Sequence, residues 1–206
     1  MIVAVDGPAA SGKGTLARRL AGHYGLAYLD TGSLYRAVAL ALLKGGKSPQ
    51  DEAAAIEAAG RIDRAAIADE EIRRAGLGEA ASIVAAFPAV RQRMLGLQRK
   101  IAATPPGAVL DGRDIGTVVC PDADVKLFVT ASPEVRARRR LEELARNGEA
   151  ASFEEVLQWL VERDRRDETR PVAPLRRAPD AHLLDTSDLD IEATFQAAVA
   201  IIDRHK

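Results

Sequence analysis

The chain has 206 residues, 47% hydrophobic and 29% charged, with a net charge of -1 at neutral pH. This is the profile of one soluble globular domain with a sizeable core, and the charge balance argues against a nucleic-acid or anionic-membrane partner, which would favour a net basic surface. The one cysteine, Cys120, allows no internal disulfide and fits a reducing, cytoplasmic compartment, no leader peptide is expected because Asp6 and Gly7 interrupt the first apolar run, and no apolar stretch approaches the roughly 20 residues that span a bilayer.

In chain order, Ile2 to Val5 reads as a buried strand and Lys13 to His23 as a helix. Leu26 to Leu29 is a second strand, and Gly32 to Leu43 a helix. Ala108 to Leu110 and Val125 to Val129 are the third and fourth strands. Pro133 to Arg146 is a helix with Ser132 as its cap and Asn147-Gly148 as its stop. Phe153 to Arg170 is a further helix, Leu183-Leu184 a fifth strand, and Ile191 to Arg204 the closing helix. Apolar strands without polar alternation, each followed by a helix, predict an α/β fold with a five-stranded parallel sheet covered on both faces. The least regular stretch, Gly45 to Gly78, has a helix-start signal at Ser48-Pro49 and reads as a small mobile subdomain inserted between the second and third strands.

Between the first strand and the first helix lies "DGPAASGKGT", Asp6 to Thr15. Strand, glycine-rich turn and helix form a phosphate-binding loop: the glycines let the amides curl inward, and the helix start adds its positive dipole end. Gly7, Pro8, Ala9, Ala10, Ser11, Gly12, Lys13, Gly14 and Thr15 are the candidate ATP-binding residues. Lys13 reaches the β- and γ-phosphates. The usual pattern places Ser or Thr directly after the lysine, yet here Gly14 intervenes and Thr15 follows one step late. That moves the hydroxyl about 100° around the helix. No direct protein ligand to Mg²⁺ is therefore assigned; the ion is expected to be held mostly by phosphates and waters, near Thr15 and Asp111.

Four later stretches address what receives the phosphoryl group. In "LDTGSLYR", Asp30 ends a strand, with Ser33 and Arg36 three apart on one helical face; a capped helix with a surface arginine is the alternative. In "SIVAAFPAVR", Phe87-Pro88 breaks a helical run and Arg91 projects from the next helix. In "DGRDIGTVV", Asp111 follows three apolar residues as a metal-orienting aspartate does, and Arg113 and Asp114 lie at the carboxyl end of the strand, where ligands bind in open α/β sheets; a structural ion pair is the rival. In "FEEVLQWLVERDRRDETRPVAPL", Phe153, Val156, Leu157, Leu160 and Val161 form an apolar stripe that Arg163, Asp167 and Arg170 continue. Charges on an inward face require partners or a ligand, and guanidinium forks suit phosphate while a carboxylate suits hydroxyls; a solvated salt-bridge ladder is the alternative. Trp159 lies off the stripe and is expected at a subdomain edge.

These motifs, in this order and over most of the chain, resemble the bacterial cytidylate kinases (CMP/dCMP kinases), nucleoside-monophosphate kinases with a P-loop three-layer fold. The resemblance implies that Arg36, Arg113 and Arg170 hold the phosphate of CMP, with Ser33 beside them. It implies that Ser82, Arg91 and Asp114 read the cytosine and that Arg163 and Asp167 contact the sugar. A carboxylate accepts from the exocyclic amine of cytosine, whereas uracil presents an acceptor there. The implied division is a core of residues 1–44, 83–147 and 171–206, an inserted monophosphate-binding lobe at about 45–82, and a lid at about 148–170. One departure is visible: the family's inserted lobe is usually longer and carries antiparallel strands, whereas here "RIDRAAIADEEIRR" stands in their place.

In "SPEVRARRRLEELARNG", Arg136, Arg139 and Arg140 share a helical face. Arg136 and Arg139 are read as phosphate contacts, and Arg138 as pairing with Glu142. The expected reaction is ATP plus CMP (or dCMP) giving ADP plus CDP (or dCDP), with Mg²⁺, in a monomer. Lys13, Arg136, Arg139 and Asp111 are the expected catalytic residues. Other small acceptors such as UMP, AMP or shikimate stay open. A guanine-nucleotide switch would need an N-K-x-D motif, which is absent from the sequence.

Overall fold

The structure, a computed structural model, describes residues 1–62, 69–72 and 77–205. Five strands form one sheet: β1 (Ile2–Asp6), β2 (Ala27–Asp30), β3 (Ala108–Gly112), β4 (Val125–Thr130) and β5 (His182–Asp185). The order is β2-β3-β1-β4-β5 and every pairing is parallel. The expected α/β architecture is therefore the observed one. The register sets Asp6 beside Gly112 and Asp30 beside Asp111. The chemistry-bearing residues thus gather at the carboxyl ends of adjacent strands.

The helices are α1 (Lys13–Tyr24), α2 (Thr31–Lys44), α3 (Glu52–Gly60), α4 (Asp69–Ile72), α5 (Leu77–Val84), α6 (Pro88–Ala102), α7 (Pro133–Arg146), α8 (Phe153–Thr169) and α9 (Ile191–Ile202). One face of the sheet buries Val3, Val5, Val109 and Leu127 against Leu16 and Leu20 of α1 and Phe195 and Ile202 of α9. The other buries Ala4 and Leu110 with Ile115 and Val119 of a short π-helix, Ile115–Val119. Helices α2 to α6 share a separate apolar cluster that includes Leu34, Val38, Ala55, Ile72, Leu77, Val84 and Met94. The insertion thus packs onto α2 and α6.

Several boundaries differ from those read from sequence, each for a local reason. The helix expected from Ser48-Pro49 begins at Glu52, because the Asp51 carboxylate accepts the Ala54 amide at 3.0 Å while the Ser48 hydroxyl is taken up by Gln50. The "RIDRAAIADEEIRR" stretch lies only partly within the described residues. Helix α8 starts on a reciprocal cap between Ser152 and Glu155 and stops at Thr169, so Arg170 leaves the helix in extended backbone at φ -58° and ψ 141°. Val161 falls off the apolar stripe and is 51% exposed; Val156 and Leu160 carry the burial. The closing helix ends at Ile202, followed by a single 3₁₀ turn at Asp203–His205.

Candidate active site

The chain passes from β1 straight into the glycine-rich loop, and the loop packs closely on β4. A Cβ on Gly7 would lie 2.0 Å from the Val129 carbonyl oxygen, so any side chain there would displace the loop. Gly12 adopts φ 87° and caps α1 without a side-chain hydrogen bond, leaving the first-turn amides for an anion. Lys13 is buried, its Nζ donating to the Pro8 carbonyl at 3.2 Å. Among the described residues, the buried Ser11 Oγ has no hydrogen-bond partner.

Gly14, at the position of the usual hydroxyl residue, faces two side chains from the sheet. A Cβ there would lie 3.7 Å from Asp111 Oδ2 and 3.7 Å from Tyr28 Oη. The Tyr28 hydroxyl donates to Asp111 Oδ1 at 2.8 Å. The hydroxyl beside the strand-end carboxylate thus comes from β2, while Thr15 is exposed at the helix surface.

The charged residues of the later motifs converge beside this loop. Asp30 caps α2 through the Ser33 amide, accepts from Arg36, and receives the Ser33 hydroxyl on its carbonyl oxygen at 2.6 Å. Asp114 is gripped by Arg91 and by Arg170 at 3.4 Å. Asp167 accepts from Arg113 Nε at 2.8 Å and lies 3.9 Å from Arg170. Arg91, Asp114, Asp167 and Arg170 are each more than nine-tenths buried. The ion-pair alternative raised by the sequence is thus realised within the same cluster. Its charges are nonetheless unbalanced: the guanidinium groups of Arg36, Arg91, Arg113, Arg163 and Arg170 meet the carboxylates of Asp30, Asp114 and Asp167. Arg163 alone of these five makes no ion pair among the described residues. Arg36 Nε, Arg163 Nε and Ser82 Oγ are buried and lack hydrogen-bond partners among the described residues, which buried polar groups in a complete site rarely do.

The α7 arginines behave differently from one another. Arg136 pairs with Asp164 at 2.7 Å and donates to the carbonyls of Ala131 and Ala9, so it braces the loop from behind. Arg139 donates to the Thr186 hydroxyl at 2.9 Å and carbonyl at 2.6 Å, and that hydroxyl also lies 3.3 Å from the Ser11 carbonyl. Arg139 Nη1 is 3.9 Å from where a Gly12 Cβ would stand, at the loop's mouth. Arg140 departs from them to pair with Glu143 at 2.8 Å and lie over Trp159. Among the described residues the expected Arg138–Glu142 ion pair does not form. Trp159 lies where α8 meets α5, 4.0 Å from a Cβ built on Gly78, beside a cleft of about 350 Å³ that also touches α7.

Burial and crowding shift the ionisable groups. Burial, then the Arg113 charge, lowers the Lys13 ammonium to about 7. Burial, then the nearby Asp30 charge, raises Asp111 to about 6. Burial together with Arg113 and Arg36 lowers Arg163 to about 10. Burial would raise Asp167, but Arg113, Arg163 and Arg170 hold it below its ordinary value. A site whose cations are this hard to keep charged gains from an incoming polyanion.

The family model described as cytidylate kinase matches residues 3–204. A cytidylate kinase of Azorhizobium caulinodans is 61% identical over 204 residues, covering 99% of this chain and 98% of the relative. One from Bradyrhizobium diazoefficiens is 58% identical over 203 residues, covering 98% and 96%. The chain belongs to the cytidylate kinase family. Solved structures show the likeness in fold alone: an uncharacterised protein from Eubacterium ventriosum superposes with a TM-score of 0.60 at 15% identity over 99% of this chain and 98% of that one. A sugar kinase from Janibacter does so with 0.51 at 15% over 98% and 94%.

Three residues of this cytidylate kinase family site escape a reading of motifs. Tyr28 is one apolar-looking residue of a strand, and only the sheet register reveals its reach to Asp111. Asp164 lies between two arginines in sequence and is visible only once α8 is turned to show its Arg136 partner. Tyr35 is buried beneath the Arg91 guanidinium, 5.6 Å from it.

The shift on Lys13 yields a pH prediction. Above pH 7 the free protein carries a largely neutral amine at residue 13, because its proton is lost at about 7. A bound polyphosphate favours the ammonium and raises that value. Binding ATP at about pH 8, where the free nucleotide's phosphates are already ionised, is therefore expected to take up a proton. Calorimetry in buffers of different ionisation enthalpy will show this uptake, and Lys13→Ala will abolish it.

Proposed function

We propose that the chain transfers the γ-phosphoryl group of ATP to CMP, and to dCMP, giving ADP with CDP or dCDP. The observation that carries this reading is the buried, cation-rich cluster around Asp114 after β3, a strand whose Asp111 stands 3.7 Å from a Cβ built on Gly14 of the phosphate loop. Membership of the cytidylate kinase family supports it independently.

The division of labour follows from the chemistry. Arg36, Arg113 and Arg170, with Ser33, receive the acceptor's phosphate as a dianion. Asp114 accepts from the cytosine amine, while Arg91 and Ser82 supply donors to N3 and O2. Arg163 and Asp167 serve the sugar. The residues from Gly7 to Thr15 wrap the ATP phosphates, and Lys13 and Arg139 meet the charge that spreads over the transferred group. Arg136 supports the loop's shape. The acceptor oxygen belongs to an anion, so no general base is required.

Mg²⁺ fits this donor set. Asp111 places a carboxylate beside Lys13, a donor suited to a hard cation that keeps its waters, while Asp30 is already paired with Arg36. Among the described residues no three His, Cys, Asp or Glu side chains group as a metal site, so the nucleotide's phosphates and waters oriented by Asp111 would hold the ion. An ion held there would supply charge neutralisation for the transferring phosphates.

Residues 45–82 act as the acceptor-binding lobe and 148–170 as the lid, closing to exclude water. The reading takes the protein as a cytoplasmic monomer whose site residues all come from one chain. Among the described residues no helix is long and apolar enough to cross a membrane. The test is ADP production from ATP and Mg²⁺ with CMP, dCMP, UMP, AMP or no acceptor. Turnover confined to CMP and dCMP is expected. Preference for UMP or AMP would reassign Ser82, Arg91 and Asp114, and turnover without acceptor would make the protein a hydrolase.

A further inference from the structure

Directly after Asp114 the backbone enters the π-helix at Ile115–Val119. Such a wide turn is rare and frequently marks a functional position. Its backbone groups are held from both ends by side chains that no motif reading singles out. Asp6, 4% exposed at the end of β1, accepts the Ile115 amide on Oδ1 at 2.8 Å and the Gly116 amide on Oδ2 at 2.8 Å. Arg99 of α6 donates through Nε to the Val119 carbonyl at 3.0 Å and through Nη2 to the Val118 carbonyl at 2.9 Å. The Asp114 carbonyl itself accepts from Val118 and Val119 at 2.9 and 3.1 Å. Gly116 makes the close approach feasible: a Cβ there would meet Lys126 Cδ at 3.0 Å and Asp6 Oδ2 at 3.5 Å.

Asp6 immediately precedes Gly7, the first residue of the phosphate loop, and the turn it holds immediately follows Arg113 and Asp114. One carboxylate therefore joins the donor loop to the acceptor-reading segment. Asp114 in turn has two guanidinium partners, Arg91 and Arg170, so a small rotation of its backbone would misplace both. We infer that Asp6 and Arg99 are positioning residues that clamp the π-helix from its two ends and thereby fix Asp114 for cytosine, setting acceptor affinity and selectivity without touching either nucleotide. This rests on the assignment of CMP as acceptor and deepens it.

A purely structural carboxylate would lower stability and leave the kinetic constants of the folded fraction alone. A clamp shifts the KM for CMP selectively. Asparagine at residue 6 keeps one acceptor and turns an N–H toward an N–H, removing one of the two hydrogen bonds that the Asp6 side chain accepts. The experiment measures KM for CMP and for ATP, and the CMP-to-UMP ratio of kcat/KM, in wild type, Asp6→Asn and Arg99→Ala. For Asp6→Asn, KM for CMP is expected to rise about tenfold or more, with KM for ATP within about twofold and a narrowed CMP-to-UMP ratio. For Arg99→Ala, an exposed side chain that the fold tolerates losing, a rise of about threefold to fivefold in KM for CMP is expected at an almost unchanged melting temperature. If Asp6→Asn does not fold, Arg99→Ala alone decides. Parallel shifts in both KM values, or wild-type KM and selectivity in the folded variants, would overturn the clamp while leaving the CMP assignment intact. A wild type that fails to use CMP would overturn the assignment, and the clamp with it.

Discussion

Replacing Lys13 with alanine is expected to lower turnover about a thousandfold while leaving the fold in place. Lys13 is the ammonium of the phosphate loop, buried at the start of α1, where among the described residues only the Pro8 carbonyl accepts from it. The nearby arginines are committed elsewhere, Arg113 to Asp167 and Arg136 to Asp164. Arg139 at the loop's mouth is held by the Thr186 hydroxyl and carbonyl, so it supplements Lys13 and does not replace it.

Stability moves the other way. Lys13 falls from its ordinary 10.5 to about 7 on burial, so folding at neutral pH costs the protein either a desolvated charge or a lost proton. That penalty is present in full below about 7 and fades as pH rises towards 10.5, where the unfolded side chain is neutral too. Lys13→Ala should thus melt no lower than wild type at neutral pH, with any gain shrinking on the alkaline side. Steady-state kinetics and a melting curve on the same sample test both statements. Turnover within about tenfold of wild type would remove Lys13 from the chemistry.

The second large effect is expected at Asp114. In the proposed site its carboxylate would accept from the cytosine amine and repel the carbonyl that uracil presents in the same place. Sites that leave buried polar groups unpaired against the wrong substrate discriminate strongly. Asparagine can turn its amide to donate instead. Asp114→Asn is expected to lower kcat/KM for CMP about a hundredfold, and to narrow the CMP-to-UMP ratio about tenfold or more. The same change leaves Arg91 and Arg170 facing one another's charge with their shared carboxylate gone. Truncating one partner of a buried ion pair costs about 3–5 kcal/mol, so a lower melting temperature accompanies the kinetic change. A variant that lost CMP turnover and kept the wild-type CMP-to-UMP ratio would show that Asp114 only supports its neighbours.

Much of this was legible from the sequence because the signals are local. A strand, glycines at fixed offsets and a lysine at a helix start define the phosphate loop through backbone geometry alone. Unalternating apolar strands followed by helices define a parallel sheet. The Arg163–Asp167 continuation of an apolar stripe marked charges that had to be buried, and Asp167 is 4% exposed. What stayed hidden depends on register and on long-range pairing. Tyr28 reaches Asp111 because β2 lies beside β3 in one particular register. Asp6 meets Ile115 and Gly116 across 109 and 110 residues of chain. Ser48-Pro49 signalled a helix start nearby, but not which residue caps it; the Asp51 carboxylate does, by accepting the Ala54 amide. Arg170 was placed on a helix that ends one residue earlier, though its side chain still reaches Asp114.

The most direct test of the central claim follows the phosphoryl group itself. The protein is mixed with ATP, Mg²⁺ and CMP, and the phosphorus resonances are followed with time. Equal growth of ADP and CDP, with no inorganic phosphate, is the predicted result. ADP accompanied by inorganic phosphate, or ADP without CDP, would contradict transfer to CMP.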